Sequence, residues 1–181
     1  MNNKNTRFIT EVAIFAAIGI ILDIVCGALS NWWGNGGSIS IAMLPIFIMA
    51  FRWGLKGGLI TGLIIGVIQI IWAPGSYLVH PIQVLLDYPI AYGVIGLSAL
   101  VSKKVQKGTT LTSFVFAFIG IVIPGLLRLA SHTISGLYFG TDLLGSFVYN
   151  AGYMIPSIVL CIVLMLILLQ KNRALIFREE E

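Results

Sequence analysis

Charge is what this sequence has least of. Only 10% of its 181 residues are Asp, Glu, Lys or Arg, where a soluble chain carries about 25%. Histidine is almost absent, at two residues, and so is cysteine, with Cys26 and Cys161 each inside an apolar run. Two isolated cysteines make neither a disulfide framework nor a metal site, and each reads as a small buried hydrophobe. Two histidines give poor material for a zinc centre. There is no GxxxxGK[ST] loop, so the chain does not bind ATP in that manner. HExxH and GxSxG are missing as well. Ser131 adjoins His132, but adjacent residues on a helix point in different directions and do not form a nucleophile–base pair. No catalytic residue and no metal ligand is expected.

What is present is hydrocarbon. At 58% hydrophobic residues, the chain reads as an all-α integral membrane protein, a single domain over residues 1–181 forming one compact bundle in a lipid bilayer. The net charge of +4 would suit nucleic acid, but its placement argues against such a partner. Lys4 and Arg7, Arg52 and Lys56, Lys103, Lys104 and Lys107, and Lys171, Arg173 and Arg178 fall between every second apolar block. That is the positive-inside pattern. Both termini are then cytoplasmic and the number of spans is even. The block after Arg7 resembles the apolar region of a signal peptide, but it is longer and carries Glu11 and Asp23, so it reads as a retained helix.

Six transmembrane helices follow, over residues 8–29, 39–51, 57–73, 81–101, 111–134 and 145–170. The second is short for a span of about 20 residues and contains Pro45, so a short or kinked helix is expected. Gly58, Gly62 and Gly66 recur every four residues on the third, a flat face for tight helix packing. Ala13 and Ala17 make a similar face on the first.

The stretch His80 to Tyr92, HPIQVLLDYPIAY, holds a carboxylate in the fourth span. A charge at mid-membrane costs about 2.5–3.5 kcal/mol even on lenient insertion scales, so Asp87 needs a partner. With topology set by charge, Asp23, Asp87, His132, Asn150 and Tyr153 fall in or near the outer half of their helices. Trp32, Trp33 and Tyr77 fall in outer connections. This describes a pocket open to the outside. Its neighbourhood carries Asp23, Asp87 and Asp142 against Arg128 alone, while the remaining charges are ten basic and four acidic. An acidic cavity with aromatic faces favours a small cation, through charge pairing and cation–π contact. The alternatives are bland. Asp87 is neutralised by Arg128 in a buried ion pair, His132 is a satisfied interior histidine, Asn150 bonds a neighbouring backbone, and Tyr149 and Tyr153 belong to an interfacial belt.

GGSISIAMLPIFIMAFRWGLKGGLITG, VLLDY, LLRLASHTISG and YNAGYMIPS, in this order and spacing, resemble the thiamine-specific substrate-binding (S) subunit of energy-coupling-factor (ECF) transporters. The resemblance implies a six-helix vitamin-binding subunit of a bacterial plasma membrane. Its partners would be a transmembrane coupling subunit and two cytosolic ATPases, so ATP enters only through them and no resident cofactor is implied. It assigns Asp87, Tyr88, His132, Asn150 and Tyr77 to the ligand. Tyr153 and Trp33 join them from the reading of the residues, and Ala13 and Ala17 are assigned to the coupling subunit. Gly145 stands where the family can carry a tyrosine, and the outer tryptophans have no clean counterpart. The other readings are an S subunit for riboflavin or a hydroxymethylpyrimidine, an intramembrane enzyme, and a purely structural bundle.

Overall fold

In the computed structural model, which describes residues 3–30, 37–73 and 75–177, every regular element is helical. The long ones are α1 (Asn3–Ser30), α2 (Leu44–Trp72), α3 (Pro81–Lys107), α4 (Thr110–Gly136) and α5 (Leu143–Lys171), followed by one short turn, α6 (Arg173–Ile176). Five helices are long and apolar enough to cross a membrane. Large apolar side chains point outward along all five, among them Ile21, Ile71, Leu100, Leu126 and Val163. Such faces are suited to lipid rather than to water.

The second of these helices, α2, folds back on itself. At Gly54 the backbone takes φ +70° and ψ −159°, a region essentially reserved for glycine. A Cβ added to Gly58 would lie 2.7 Å from the Cβ of Ala50. Residues eight apart on a straight helix are separated by about 12 Å. The arms 44–53 and 55–72 are therefore antiparallel neighbours. The expected helix 39–51 begins at Leu44 instead, and Pro45 sits in its first turn rather than at a kink. There its missing N–H costs nothing. The first arm spans only about 15 Å, yet Ile46, Phe47, Met49, Ala50 and Phe51 are all fully buried. It is the centre of the core.

The glycines of the second arm explain its fit against α3. A Cβ on Gly58 would approach Gly96, one on Gly62 would strike the Tyr92 carbonyl, and one on Gly66 would sit 2.6 Å from the Tyr88 carbonyl. Backbone lies on backbone, as a small-residue face allows.

At the end of the bundle opposite the pocket, Glu11 and Arg52 tie three distant segments together. Glu11 accepts from Arg52 at 2.5 and 2.9 Å, from Arg7 at 3.0 Å and from the Trp53 indole at 2.6 Å. Arg52 also donates to the carbonyls of Ala174, Leu175 and Phe177. The start of α1, the Gly54 turn and the turn at Arg173–Ile176 are thus gathered at one end.

Candidate binding site

Asp87 is presented by an irregularity. α3 is α-helical over Pro81–Leu85, widens to a π-turn over Leu86–Ile90, and tightens to a 3-10 helix over Val94–Val101. Pro89 inside the π-turn has no N–H to donate. Beside it, the Leu86 carbonyl accepts from the Ser131 hydroxyl of α4 at 2.7 Å. Single π-turns recur where a helix must present a functional side chain, and Asp87 and Tyr88 lie within this one.

Around them is a cavity of about 660 Å³, within the range of small-molecule sites. Six of the seven proposed ligand residues, Tyr77, Asp87, Tyr88, His132, Asn150 and Tyr153, line it together. Trp33 lies outside the described residues, as does Trp32. Of the other outer residues considered, Phe139 lines the cavity. Tyr138 instead stacks on His80 at 4.7 Å, and Asp142 caps α5 by accepting from Gly145 N at 2.8 Å.

The partner of Asp87 is His132, not Arg128. Asp87 Oδ1 is 3.1 Å from His132 Nδ1, and Oδ2 accepts from Gln83 Nε2 at 2.5 Å. The Arg128 guanidinium lies 4.0 Å over the Tyr92 ring, a cation–π geometry. Two rungs of α4 were available to meet the carboxylate, and the lower one turned to another aromatic. With Nδ1–H directed at Asp87, the neutral His132 ring keeps Nε2 as an acceptor. That atom is buried and has no hydrogen-bond partner among the described residues, and Arg128 Nε and Ser135 Oγ share its condition. All three residues line the cavity. Native interiors leave few such groups open. The three residues lie on successive turns of one helix beside one cavity.

Other polar residues are already engaged. Asn150 donates to the carbonyls of Ser146 at 2.9 Å and His132 at 3.3 Å, and its Oδ1 accepts from Tyr153 at 2.5 Å. It ties α5 to α4, as the bland reading of this residue allowed. Tyr149 receives Gly37 N at 2.9 Å and meets Tyr153 edge-on at 5.7 Å. These bonds fix aromatic walls.

A second polar cluster joins the same cavity. Gln69 Nε2 donates to Asp23 at 2.6 Å and to the Tyr92 hydroxyl at 2.7 Å, and Ser40 donates to Asp23 at 3.2 Å. Gln69, Tyr92 and Ser40 were not expected at the site. Gln69 lies three residues beyond Gly66, near the same helix face, and Tyr92 four residues beyond Tyr88, so both carried a signal. In formal charge the lining holds two carboxylates, Asp23 and Asp87, and one guanidinium, Arg128. The excess is negative, and it sits at Asp87, since Arg128 lies with Tyr92 in the Asp23 cluster.

Together these features define a multi-pass membrane protein built around a cavity of small-molecule size. Residues 9–177 match the family of thiamine transporter proteins, and the chain belongs to that family. It is 42% identical over 182 residues to the thiamine transporter ThiT of Bacillus subtilis (strain 168), covering 92% of each chain. It is 29% identical to the thiamine transporter ThiT of Lacticaseibacillus paracasei, covering 92% of this chain and 89% of that one. Its structure superposes on that of ThiT from Listeria monocytogenes with a TM-score of 0.85, at 25% identity over 97% of this chain and all of the other. The family is one of transporters, not of enzymes.

Proposed function

We propose that this chain is the high-affinity thiamine-binding subunit of an uptake system, taking the vitamin from outside the bacterial plasma membrane into the cavity around Asp87. The carrying observation is the match between ligand and lining. Thiamine is a fixed thiazolium cation joined to a neutral aminopyrimidine, and the cavity offers an excess carboxylate, open hydrogen-bonding atoms and tyrosine faces. Asp87 supplies the counter-charge, without any proton transfer. His132 Nε2 is an acceptor suited to the exocyclic amine, while Ser135 and Arg128 offer donors to ring nitrogen or hydroxyl oxygen. Tyr77, Tyr88 and Tyr153 supply the walls, and Trp33 is assigned to the ligand from the sequence alone. Asn150 acts by holding Tyr153 and the His132 carbonyl in place.

Delivery in this reading needs a partner, an ECF transmembrane subunit driven by two cytosolic ATPases, with both termini of this chain cytoplasmic. Two features support it. The sequence carries no phosphate loop of its own, and α1 turns Val12 and Ala16 inward while leaving Ala13 and Ala17 exposed beside Ile9, Ile14 and Ile21. An uncovered small-residue stripe is suited to a second helix.

Thiamine titrated into the purified full chain in detergent, read by quenching of its four tryptophans, should saturate at one equivalent. Mass spectrometry of small molecules released from the protein should find the same vitamin. Absence of quenching, together with tight binding of riboflavin or of free hydroxymethylpyrimidine, would reject the assignment.

A further inference from the structure

Gln83 is fully buried, and both ends of its amide are in use. Its Nε2 donates to Asp87 Oδ2 at 2.5 Å. Its Oε1 accepts from Val79 N at 3.1 Å and from His80 N at 3.5 Å. A carboxylate on one side and two backbone N–H groups on the other leave one orientation for this amide. The same residue is the third member of a capping box on α3, in which His80 Nδ1 accepts from Ile82 N at 3.2 Å. The His80 ring then stacks on Tyr138 at 4.7 Å with 20° between planes. His80 and Tyr138 come from the two connections that supply Tyr77 and Phe139 to the cavity lining. An unbroken series of contacts therefore runs from the exposed connections to the carboxylate: Tyr138, His80, Gln83, Asp87, His132.

We infer that Gln83 is a positioning residue that fixes the Asp87 carboxylate for its ligand and makes that orientation depend on the His80–Tyr138 stack between the two connections. The inference rests on the binding role given to Asp87 above. Aspartate is short, and its single-methylene stem leaves rotation about χ1 and χ2 to be restrained by what its oxygens bond. His132 holds one oxygen and Gln83 the other. When the stack separates, the His80 backbone and with it the Gln83 amide lose their fixed place, and Asp87 is released from one of its two restraints. Closed connections and an oriented carboxylate thus occur together, so ligand is held tightly when the connections are in contact and leaves when they part.

The test is a double-mutant cycle on thiamine dissociation from the full chain in detergent, followed by recovery of tryptophan fluorescence after dilution. Gln83→Met keeps the volume and removes all three side-chain hydrogen bonds, and should speed dissociation tenfold or more. His80→Ala should speed it about threefold to fivefold in the wild-type chain and leave it unchanged in the Gln83→Met chain, because the coupling is already broken. His80→Phe, which keeps the stack without the cap, should fall between. Independent effects, multiplying in the double variant, would overturn the inference, since contacting residues couple and unconnected ones add. The same variants are also read without ligand, by hydrogen–deuterium exchange of residues 86–90. Faster exchange there in both Gln83→Met and His80→Ala is expected, and unaltered exchange in either counts against the coupling even if thiamine proves to be the wrong vitamin. A wild-type chain that fails to bind thiamine rejects the function alone.

Discussion

Glu11 and Asp87 are carboxylates of the same membrane bundle, one at each end, and they are treated in opposite ways. Glu11 is closed in by Arg7, Arg52 and Trp53, with two bonds from Arg52 alone. Asp87 has one imidazole and one amide, and its partner imidazole keeps a buried nitrogen without a bond. The clasp end has its own open atom, Arg173 Nε, but that guanidinium donates through Nη2 to Ser113 and lies over Phe177. At the cavity end the residues with open atoms, Arg128, His132 and Ser135, all line one cavity. A carboxylate saturated by its own chain holds the fold, and one left partly open has room for something else.

That contrast can be broken at either end. The largest effect is expected from Arg52→Ala, which removes two of the four bonds to Glu11 and frees the C-terminal carbonyls. Removing one member of a buried pair costs about 3–5 kcal/mol, so the melting temperature in detergent should fall sharply. Thiamine affinity per folded molecule should stay the same. Asp87→Asn should do the reverse, leaving the ligand-free melting temperature within a few degrees while weakening thiamine binding by about 1.5–3 kcal/mol, the scale of a charged hydrogen bond. Calorimetric titration of the folded variant checks it, and unchanged affinity would remove Asp87 from the ligand. Gly66→Ala tests whether the scaffold reaches the site. Its new methyl meets the Tyr88 carbonyl inside the π-turn, an overpacking cost of about 1–3 kcal/mol, and both stability and binding should drop. The smallest effect belongs to Ser135→Ala. Its hydroxyl lies beside Asp87 but makes no well-formed hydrogen bond among the described residues, so stability should change little while binding weakens by about 1 kcal/mol.

The sequence made the larger plan legible, because lysine and arginine clusters mark alternate ends and a hydrocarbon run of fixed length must cross between them. It showed that Asp23, Asp87, His132 and Asn150 belong at a similar depth. It placed a reversal between residues 51 and 57 but did not show that a single residue, Gly54, makes it at positive φ within a continuous α2, a tightness set by the packing of Ala50 on Gly58. Nor did it tell His132 from Arg128 as the partner of Asp87. The two share a helix face, and which one meets the carboxylate depends on the relative rise of α3 and α4, which the π-turn at Pro89 alters. The cluster around Asp23 went unseen for a related reason. Gln69 and Ser40 lie 46 and 17 residues from Asp23 along the chain, and which polar groups of that end touch it is set by how α1 and α2 pack side by side.

The reversal has a consequence for how the chain can change over time. Leucines facing lipid, such as Leu100 at 76% exposure, touch a fluid that conforms to any apolar shape. Isoleucine, valine or phenylalanine should replace them at little cost. The first arm of α2 touches no lipid, and Phe47, Met49 and Phe51 have no exposed surface at all. Their neighbours are close-packed side chains, where an added or missing methylene is felt. A hydropathy scale scores the arm and the perimeter alike, but substitution should separate them. The perimeter can drift among apolar residues, while the arm is held to particular volumes by the helices around it.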